Sequence, residues 1–101
     1  MLRHVALFRW IDDVTPAQVE AVTEGLAGLP AVIPELRAYR FGPDAGLTDG
    51  NFDFGVVADL DDDEAWATYV AHPAHQAVLA DHIRPILATR AAVQLTFDEN
   101  P

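Results

Sequence analysis

The stretch Tyr69-Val70-Ala71-His72-Pro73-Ala74-His75-Gln76 contains the break that organises the second half of this 101-residue chain. His72 precedes a proline, and that position disfavours helical backbone, so a helix that enters the stretch is expected to stop there. Pro73 suits the first position of a new helix, where its missing N–H needs no partner. The stretch therefore predicts two consecutive helices with one histidine at the junction and another, His75, just after it.

The sequence on either side of this break predicts how the two helices begin and end. Asp61, followed three residues later by Glu64, has the spacing of a capping box and predicts the start of the first helix. The second helix is expected to continue until Pro85 kinks or ends it around residues 81–84. Beyond it, residues 89–98 alternate between apolar and other side chains, which predicts a final strand.

The first half of the chain predicts a strand, a helix and two more strands. Residues 3–10 are largely apolar on both faces, as in a central strand. Thr15, Pro16 and Gln18 have the pattern of an N-cap, a first-turn proline and a capping-box partner, and so predict a helix start. Two further strands are expected at residues 36–41 and 52–60.

The predicted elements follow the order β-α-β-β-α-β, which indicates a ferredoxin-like α+β fold with one four-stranded antiparallel sheet. The length suits a single domain over residues 1–101. If helices cover one face of the sheet, the other face is open and is expected to carry apolar side chains such as Phe8 or Val56. An open apolar face predicts a partner, and the simplest is a second copy of the chain, giving a homodimer.

Composition excludes several classes of function. The chain has 6 arginines, no lysine and 16 acidic residues, giving a net charge of −10, which disfavours binding to nucleic acid or to anionic membranes. It has no cysteine or serine, so thiolate metal sites, disulfides and serine or cysteine nucleophiles are excluded. No apolar run reaches the ~20 residues of a membrane helix, and no signal-peptide pattern is present. We therefore expect a cytoplasmic protein, and the preference for alanine and arginine suggests a bacterial source.

Three stretches carry a family likeness: His4-Val5-Ala6-Leu7-Phe8, Phe52-Asp53-Phe54-Gly55-Val56-Val57 and residues 69–76. The first two resemble the opening and third strands of the stress-responsive A/B barrel domain (Dabb) family. The third is similar to that family's signature, Y-x-x-H-P-x-H. The resemblance implies a homodimer in which two sheets pack face to face, through their open faces, into an α/β barrel.

The resemblance also implies a reaction. Members of the family include plant polyketide cyclases, which perform an aldol condensation without a cofactor, and no cofactor is expected here. The residues implicated in those enzymes fall on His4, Tyr69 and His75. Leu26 stands where those cyclases have a tyrosine, so the pocket is expected to differ in shape and polarity.

The residues themselves are compatible with acid–base chemistry. His4 on the first strand and His75 on a helix above the sheet are expected to meet between the two layers. Imidazole titrates near neutral pH, so His75 could remove a proton from carbon while Tyr69 or His4 donates to the resulting enolate. The ligand is expected to be small, largely apolar, and aromatic or polyketide-like. The wall of this pocket is expected to include Phe8, Val22, Leu26, Trp66 and Leu79.

Other interpretations of the same residues stay open. Each histidine could instead have a structural role, as a buried ring bonded to a carbonyl or as a helix cap, and Tyr69 could be a core aromatic. The protein could be a cofactor-free cyclase, lyase or monooxygenase, a non-catalytic stress-related or ligand-binding module, or a haem-handling protein. His72, His75 and His82 do not predict a metal site, because Pro73 breaks the helical register and a seven-residue helical separation is about 10 Å.

Overall fold

The computed structural model describes residues 1–98, and it confirms the predicted ferredoxin-like α+β fold. The strands are β1 (Leu2–Trp10), β2 (Ala38–Pro43), β3 (Phe54–Leu60) and β4 (Leu87–Thr96). The helices are α1 (Pro16–Ala27), α2 (Asp63–Ala71) and α3 (Pro73–Val78). The sheet is antiparallel with the order β2-β3-β1-β4, so β1 is central and β4 is an edge strand.

The helix starts follow from side-chain caps. Thr15 and Gln18 form the predicted capping box, with Gln18 N donating to Thr15 Oγ1 at 3.2 Å and Thr15 N donating to Gln18 Oε1 at 2.9 Å. At α2 the predicted cap was wrong by one residue. Asp62, not Asp61, accepts from a backbone N–H of the first turn, because the Asp61 carboxylate pairs with Arg37 at 2.8 Å.

The break at the proline is confirmed, and α3 does not continue regularly to its end. His72 ends α2 and caps α3, which passes into a π-helical turn at Leu79–Ile83 and a 3-10 turn at Arg84–Ile86. Pro85 lies inside the 3-10 turn, in agreement with the kink predicted there. Six strand bounds differ from those predicted: β1 begins one residue earlier, β2 begins and ends two residues later, β3 begins two residues later, and β4 begins and ends two residues earlier.

Phe8 and Val56 were wrongly expected on the open face of the sheet, although Phe8 was also expected in the pocket wall on the covered face. Phe8 and Val56 are each only 3% exposed and lie on the covered face, in register with the inward row that begins at His4. Because side chains alternate along a strand, the open face carries the odd-numbered residues of β1 and β4 instead. Leu7, Val93 and Leu95 are 37%, 53% and 44% exposed there.

Within residues 1–98, no helix is both long enough and apolar enough to cross a membrane.

Candidate functional site

A cavity of about 260 Å³ lies between the covered face of the sheet and the α2–α3 segment. For comparison, an engineered apolar cavity of about 150 Å³ accommodates benzene. This cavity therefore has room for one ring with substituents, which suits such a molecule better than the four linked pyrrole rings of haem. Six of the predicted site residues line it: His4, Phe8, Leu26, Tyr69, His75 and Leu79.

Val22 and Trp66 were expected in this wall and lie outside it. The Val22 side chain is fully buried in the core, on the inward face of α1. Trp66 packs beyond His4, with ring centroids 6.4 Å apart, and lines a separate shallow groove with Leu2 and Asp63. Helical periodicity indicated that both side chains face inward, but it could not distinguish the filled part of the interior from the open part.

His75 is held by its own helix junction. Its Nδ1 lies 3.2 Å from the carbonyl oxygen of Val70, which can only accept, so Nδ1 carries the ring proton and donates it. The Gln76 amide donates to the same oxygen at 2.6 Å. In the described residues, Nε2 of His75 has no hydrogen-bond partner, so the neutral ring keeps a free lone pair at the atom remote from the backbone.

Burial and neighbouring cations keep this imidazole neutral. Burial is the main cause that lowers the pKa of His75 below 6.5, the hydrogen bond to Val70 partly opposes it, and the charges of His72, Arg84 and Arg90 lower it further. At neutral pH the ring is therefore a base with a free lone pair.

His4 has the opposite arrangement of its ring nitrogens. The side-chain amide nitrogen of Gln94 lies 2.8 Å from His4 Nδ1, and since an amide N–H donates, Nδ1 accepts. The ring proton of neutral His4 is therefore on Nε2. Burial lowers the pKa of His4, as do the charges of Arg90 and His75, so this ring too is neutral at pH 7.

Two tyrosine hydroxyls meet beside the histidines. The hydroxyl oxygens of Tyr39 and Tyr69 are 2.9 Å apart, and the ring of Tyr69 lies 4.4 Å from that of His75. Burial raises the pKa of both phenols; the shared hydrogen bond raises the pKa of Tyr39 and lowers that of Tyr69. Either hydroxyl could donate this bond; with Tyr39 as the donor, the hydroxyl proton of Tyr69 is available to a ligand.

Sequence reasoning missed several residues of the site. Tyr39 could have been found, because it alternates with Phe41 on the inward face of β2. Gln94 carried no signal, since its contact with His4 joins residues 90 positions apart. Arg84 and Arg90 also line the cavity, whereas no aspartate or glutamate among residues 1–98 does.

His72, His82 and Trp66 lie outside the cavity wall. His72 accepts a hydrogen bond from Ala74 N at 3.0 Å through Nδ1, and so caps α3. His82 packs against Gly25 of α1, where a Cβ would meet its ring at 3.3 Å. The indole Nε1 of Trp66 is buried with no partner in the part of the chain that the structure describes. Across those same residues, no three His, Cys, Asp or Glu side chains are grouped as a metal site requires.

Comparison with known proteins places the chain in a family. The profile of the stress-responsive A/B barrel domain matches residues 2–97. The stress-response A/B barrel domain-containing protein HS1 of Arabidopsis thaliana is 30% identical over 76 residues, covering 73% of this chain and 70% of that protein. An uncharacterized protein of Streptomyces coelicolor is 33% identical over 82 residues, covering 79% and 84%.

Solved structures share the ferredoxin-like fold. A dimeric ferredoxin-like protein of unknown function from Thermobifida fusca is 56% identical with a TM-score of 0.89, covering 95% of this chain and 90% of that one. The hydroxynitrile lyase of Passiflora edulis has a TM-score of 0.81 at 14% identity, covering 98% and 94%. At that identity the likeness to the lyase is one of fold alone.

Proposed function

This chain belongs to the stress-responsive A/B barrel domain family, and from that premise we propose that it is a homodimeric, cofactor-free enzyme that removes a proton from a small, largely apolar molecule. His75 is the general base. His4 and Tyr69 donate hydrogen bonds to the oxygen that becomes negative. The reaction class is that of a cyclase or lyase acting on an aromatic or polyketide-like carbonyl compound.

The observation that carries this proposal is the pair of opposite tautomers. The Val70 carbonyl leaves His75 with a lone pair at Nε2, and the Gln94 amide leaves His4 with a proton at Nε2. A base and a donor therefore line one cavity while both rings are neutral. Two histidines with purely structural roles would not need complementary tautomers.

The proton transfer balances with residues of this chain alone. Nε2 of His75 takes a proton from the carbon next to a carbonyl, and the C–H electron pair forms the enolate, whose charge lies on oxygen. Nε2–H of His4 and the hydroxyl of Tyr69 donate to that oxygen. In a cyclase the enolate carbon then attacks a second carbonyl of the same molecule, forming the new C–C bond, and the oxygen of that carbonyl takes the proton back from Nε2 of His75. A positioned general base contributes about a hundredfold or more to such a step.

Dimerisation through the open sheet face completes the proposal. Leu7, Val93 and Leu95 form an exposed apolar strip on that face. The relative from Thermobifida fusca, 56% identical, is dimeric. Pairing the two open faces removes these side chains from water in both copies.

Deuterium exchange into acetophenone in D₂O, followed by proton NMR, tests the chemistry. Acetophenone has one ring and one ketone, and abstraction of a methyl proton gives its enolate. We expect the protein to accelerate exchange over buffer, and His75→Ala to lower the protein-dependent rate by about a hundredfold. His82→Gln is the matched control and should exchange at the wild-type rate, because His82 lies outside the cavity wall.

The same assay separates the enzyme from a binding module of the same fold. If acetophenone shifts the ring signals of His4 and His75 without any faster exchange, the cavity binds ligands but His75 is not a base for carbon acids. Equal rates for wild type and His75→Ala would contradict the assignment of the base.

A further inference from the structure

Two arginines of this acidic chain lie in the cavity wall without an acidic partner in the portion that the structure describes. The sequence has 6 arginines against 16 acidic residues, yet Arg84 and Arg90 line the same cavity, and no carboxylate of the described residues lies in its wall. Of the other four arginines, Arg3 binds Asp59 at 2.7 Å and Arg37 binds Asp61 at 2.8 Å. Arg9 lies over the ring of Phe52 at 4.5 Å, and Arg40 is exposed on β2, outside the cavity wall. Among residues 1–98, Arg84 and Arg90 have no ion pair or hydrogen bond from the side chain.

Both arginines belong to the segment that runs from the π-helical turn into β4, and both line the cavity. Arg84 opens the 3-10 turn that follows the π-helical turn, and that turn leads directly into β4. Arg90 lies on β4 opposite Phe8 and so belongs to the helix-facing row, which also holds Gln94 and, on β1, His4. Both arginines are exposed, whereas His4 is only 6% exposed. The arginines are therefore at the mouth, and the imidazole is at the inner end.

The cavity thus combines an apolar, ring-sized interior with an unneutralised positive mouth. A guanidinium matches a carboxylate through two parallel N–H···O bonds, and such charge-assisted bonds are stronger than neutral ones. The two imidazoles are neutral and supply no competing charge. A net charge of −10 repels anions over most of the surface, so an anion that approaches this chain is favoured only where arginines have no acidic partner.

We propose that Arg84 and Arg90 form a carboxylate subsite at the cavity mouth, so that the ligand is a ring-sized, largely apolar acid with its carboxylate at the arginines. This inference rests on the proposed function, because it concerns the ligand of the same cavity. It adds an orientation: the apolar part enters first and lies against the tyrosines and histidines. A neutral molecule of the same shape would fit the interior but lose the mouth contacts.

NMR titration of the wild-type protein with benzoate, benzamide and acetate tests this inference. Benzoate and benzamide share a ring and differ in charge, whereas acetate has the carboxylate without the ring. We expect benzoate to shift the ring signals of His4 and His75 and to bind about tenfold tighter than benzamide, which corresponds to one charge-assisted contact. Acetate should bind more weakly than either, and added salt should reduce the preference for benzoate.

Variants assign the preference to the two arginines. In Arg84→Gln/Arg90→Gln the advantage of benzoate over benzamide should disappear while benzamide binding stays at its wild-type level. Arg37→Gln is the matched control: it removes an exposed arginine outside the cavity wall and should keep the preference.

Each alternative result has a definite meaning. Equal binding of benzoate and benzamide by the wild type overturns the carboxylate subsite but leaves the apolar cavity and the proposed function standing. A preference that survives in the double variant, or that Arg37→Gln reduces equally, also overturns it, since the cause would then be net charge. If neither ring compound reaches the cavity, the subsite and the proposed function both fail.

Discussion

Each imidazole in the cavity is fixed by one hydrogen bond at Nδ1, and the partner decides what the ring can do at Nε2. A carbonyl leaves His75 a base, and an amide N–H leaves His4 a donor. His4, Tyr69 and His75 were predicted from the sequence as site residues. The order of the helices and strands, together with the resemblance to the family signature, placed them between the sheet and the helices. It could not predict the tautomers, since Gln94 reaches His4 only through the pairing of β1 with β4.

The role of Gln94 can be tested with a single charge. In Gln94→Glu a carboxylate replaces the amide that faces His4 Nδ1, so the charged imidazole gains a partner and the pKa of His4 should rise above its wild-type value. Gln18→Glu makes the same change in the α1 cap, far from the cavity, and should leave His4 unchanged. The measurement is the titration of the His4 ring protons by NMR, and an unchanged His4 in Gln94→Glu would contradict the contact.

Tyr39 is expected to be a positioning residue for Tyr69. The chain has only 2 tyrosines, so in Tyr39→Phe the absorbance of tyrosinate reports Tyr69 alone. Loss of the donor should raise the pKa of Tyr69, because the hydrogen bond from Tyr39 lowers it in the wild type. An alkaline titration of the variant should therefore begin at higher pH than the first ionisation of the wild type. A lower value would show that Tyr69, not Tyr39, is the donor.

At the scale of the helices and strands, local chemistry predicted beginnings better than interiors. The capping box at Thr15 and the break at Pro73 depend on residues within a few positions of each other, and both are as predicted. Asp61 failed as a cap because a distant arginine takes its carboxylate. Val22 and Trp66 were misplaced for a related reason: periodicity gives the buried face of a helix but not which part of that face leaves space.

The capping box gives a stability prediction for α1. Thr15→Ala removes the hydroxyl that accepts from Gln18 N and should lower the free energy of unfolding by about 1 kcal/mol. Thr23→Ala is the control in the same helix; its hydroxyl donates to the Val19 carbonyl within the helix, and alanine has the better helix propensity there. Urea unfolding followed by circular dichroism measures both. Equal losses for the two variants would contradict a specific contribution from the cap.

For the whole molecule, the two neutral histidines predict how stability depends on pH. In the folded protein both histidines have a pKa below 6.5, the ordinary value that applies in the unfolded chain. At a pH between the two values, the unfolded chain therefore binds more protons than the folded protein does. Their contribution is complete above pH 6.5 and is lost as the pH falls through the folded pKa values. The free energy of unfolding, measured in urea, should therefore decrease below about pH 6.5. In His4→Gln/His75→Gln this decrease should be much smaller, and an equally steep decrease there would assign it to other groups.

The last prediction concerns the open sheet face, because β4 carries cavity residues on one face and the proposed dimer contacts on the other. Alternation along β4 places Arg90 and Gln94 on the helix-covered face, where Arg90 lines the cavity and Gln94 contacts His4, and it places Val93 and Leu95 on the open face. In the described part of the chain, β4 is an edge strand that pairs with β1 alone, so a second copy packed on its outer side chains would also hold the cavity residues in place. Dimerisation and the site are therefore expected to depend on each other.

Val93→Asp tests this dependence. Val93 is 53% exposed in the single chain, so a carboxylate there is tolerated by the monomer but would be buried without a partner in the dimer. Size-exclusion chromatography with light scattering should give twice the chain mass of 11.0 kDa for the wild type and the single mass for the variant. Leu47→Asp, at a loop side chain that is 86% exposed, should remain dimeric. Hydrogen exchange of β4 amides should be faster in Val93→Asp only, because β4 has lost the copy that covers it. A dimeric Val93→Asp, or a monomeric wild type, would show that the open face is not the interface.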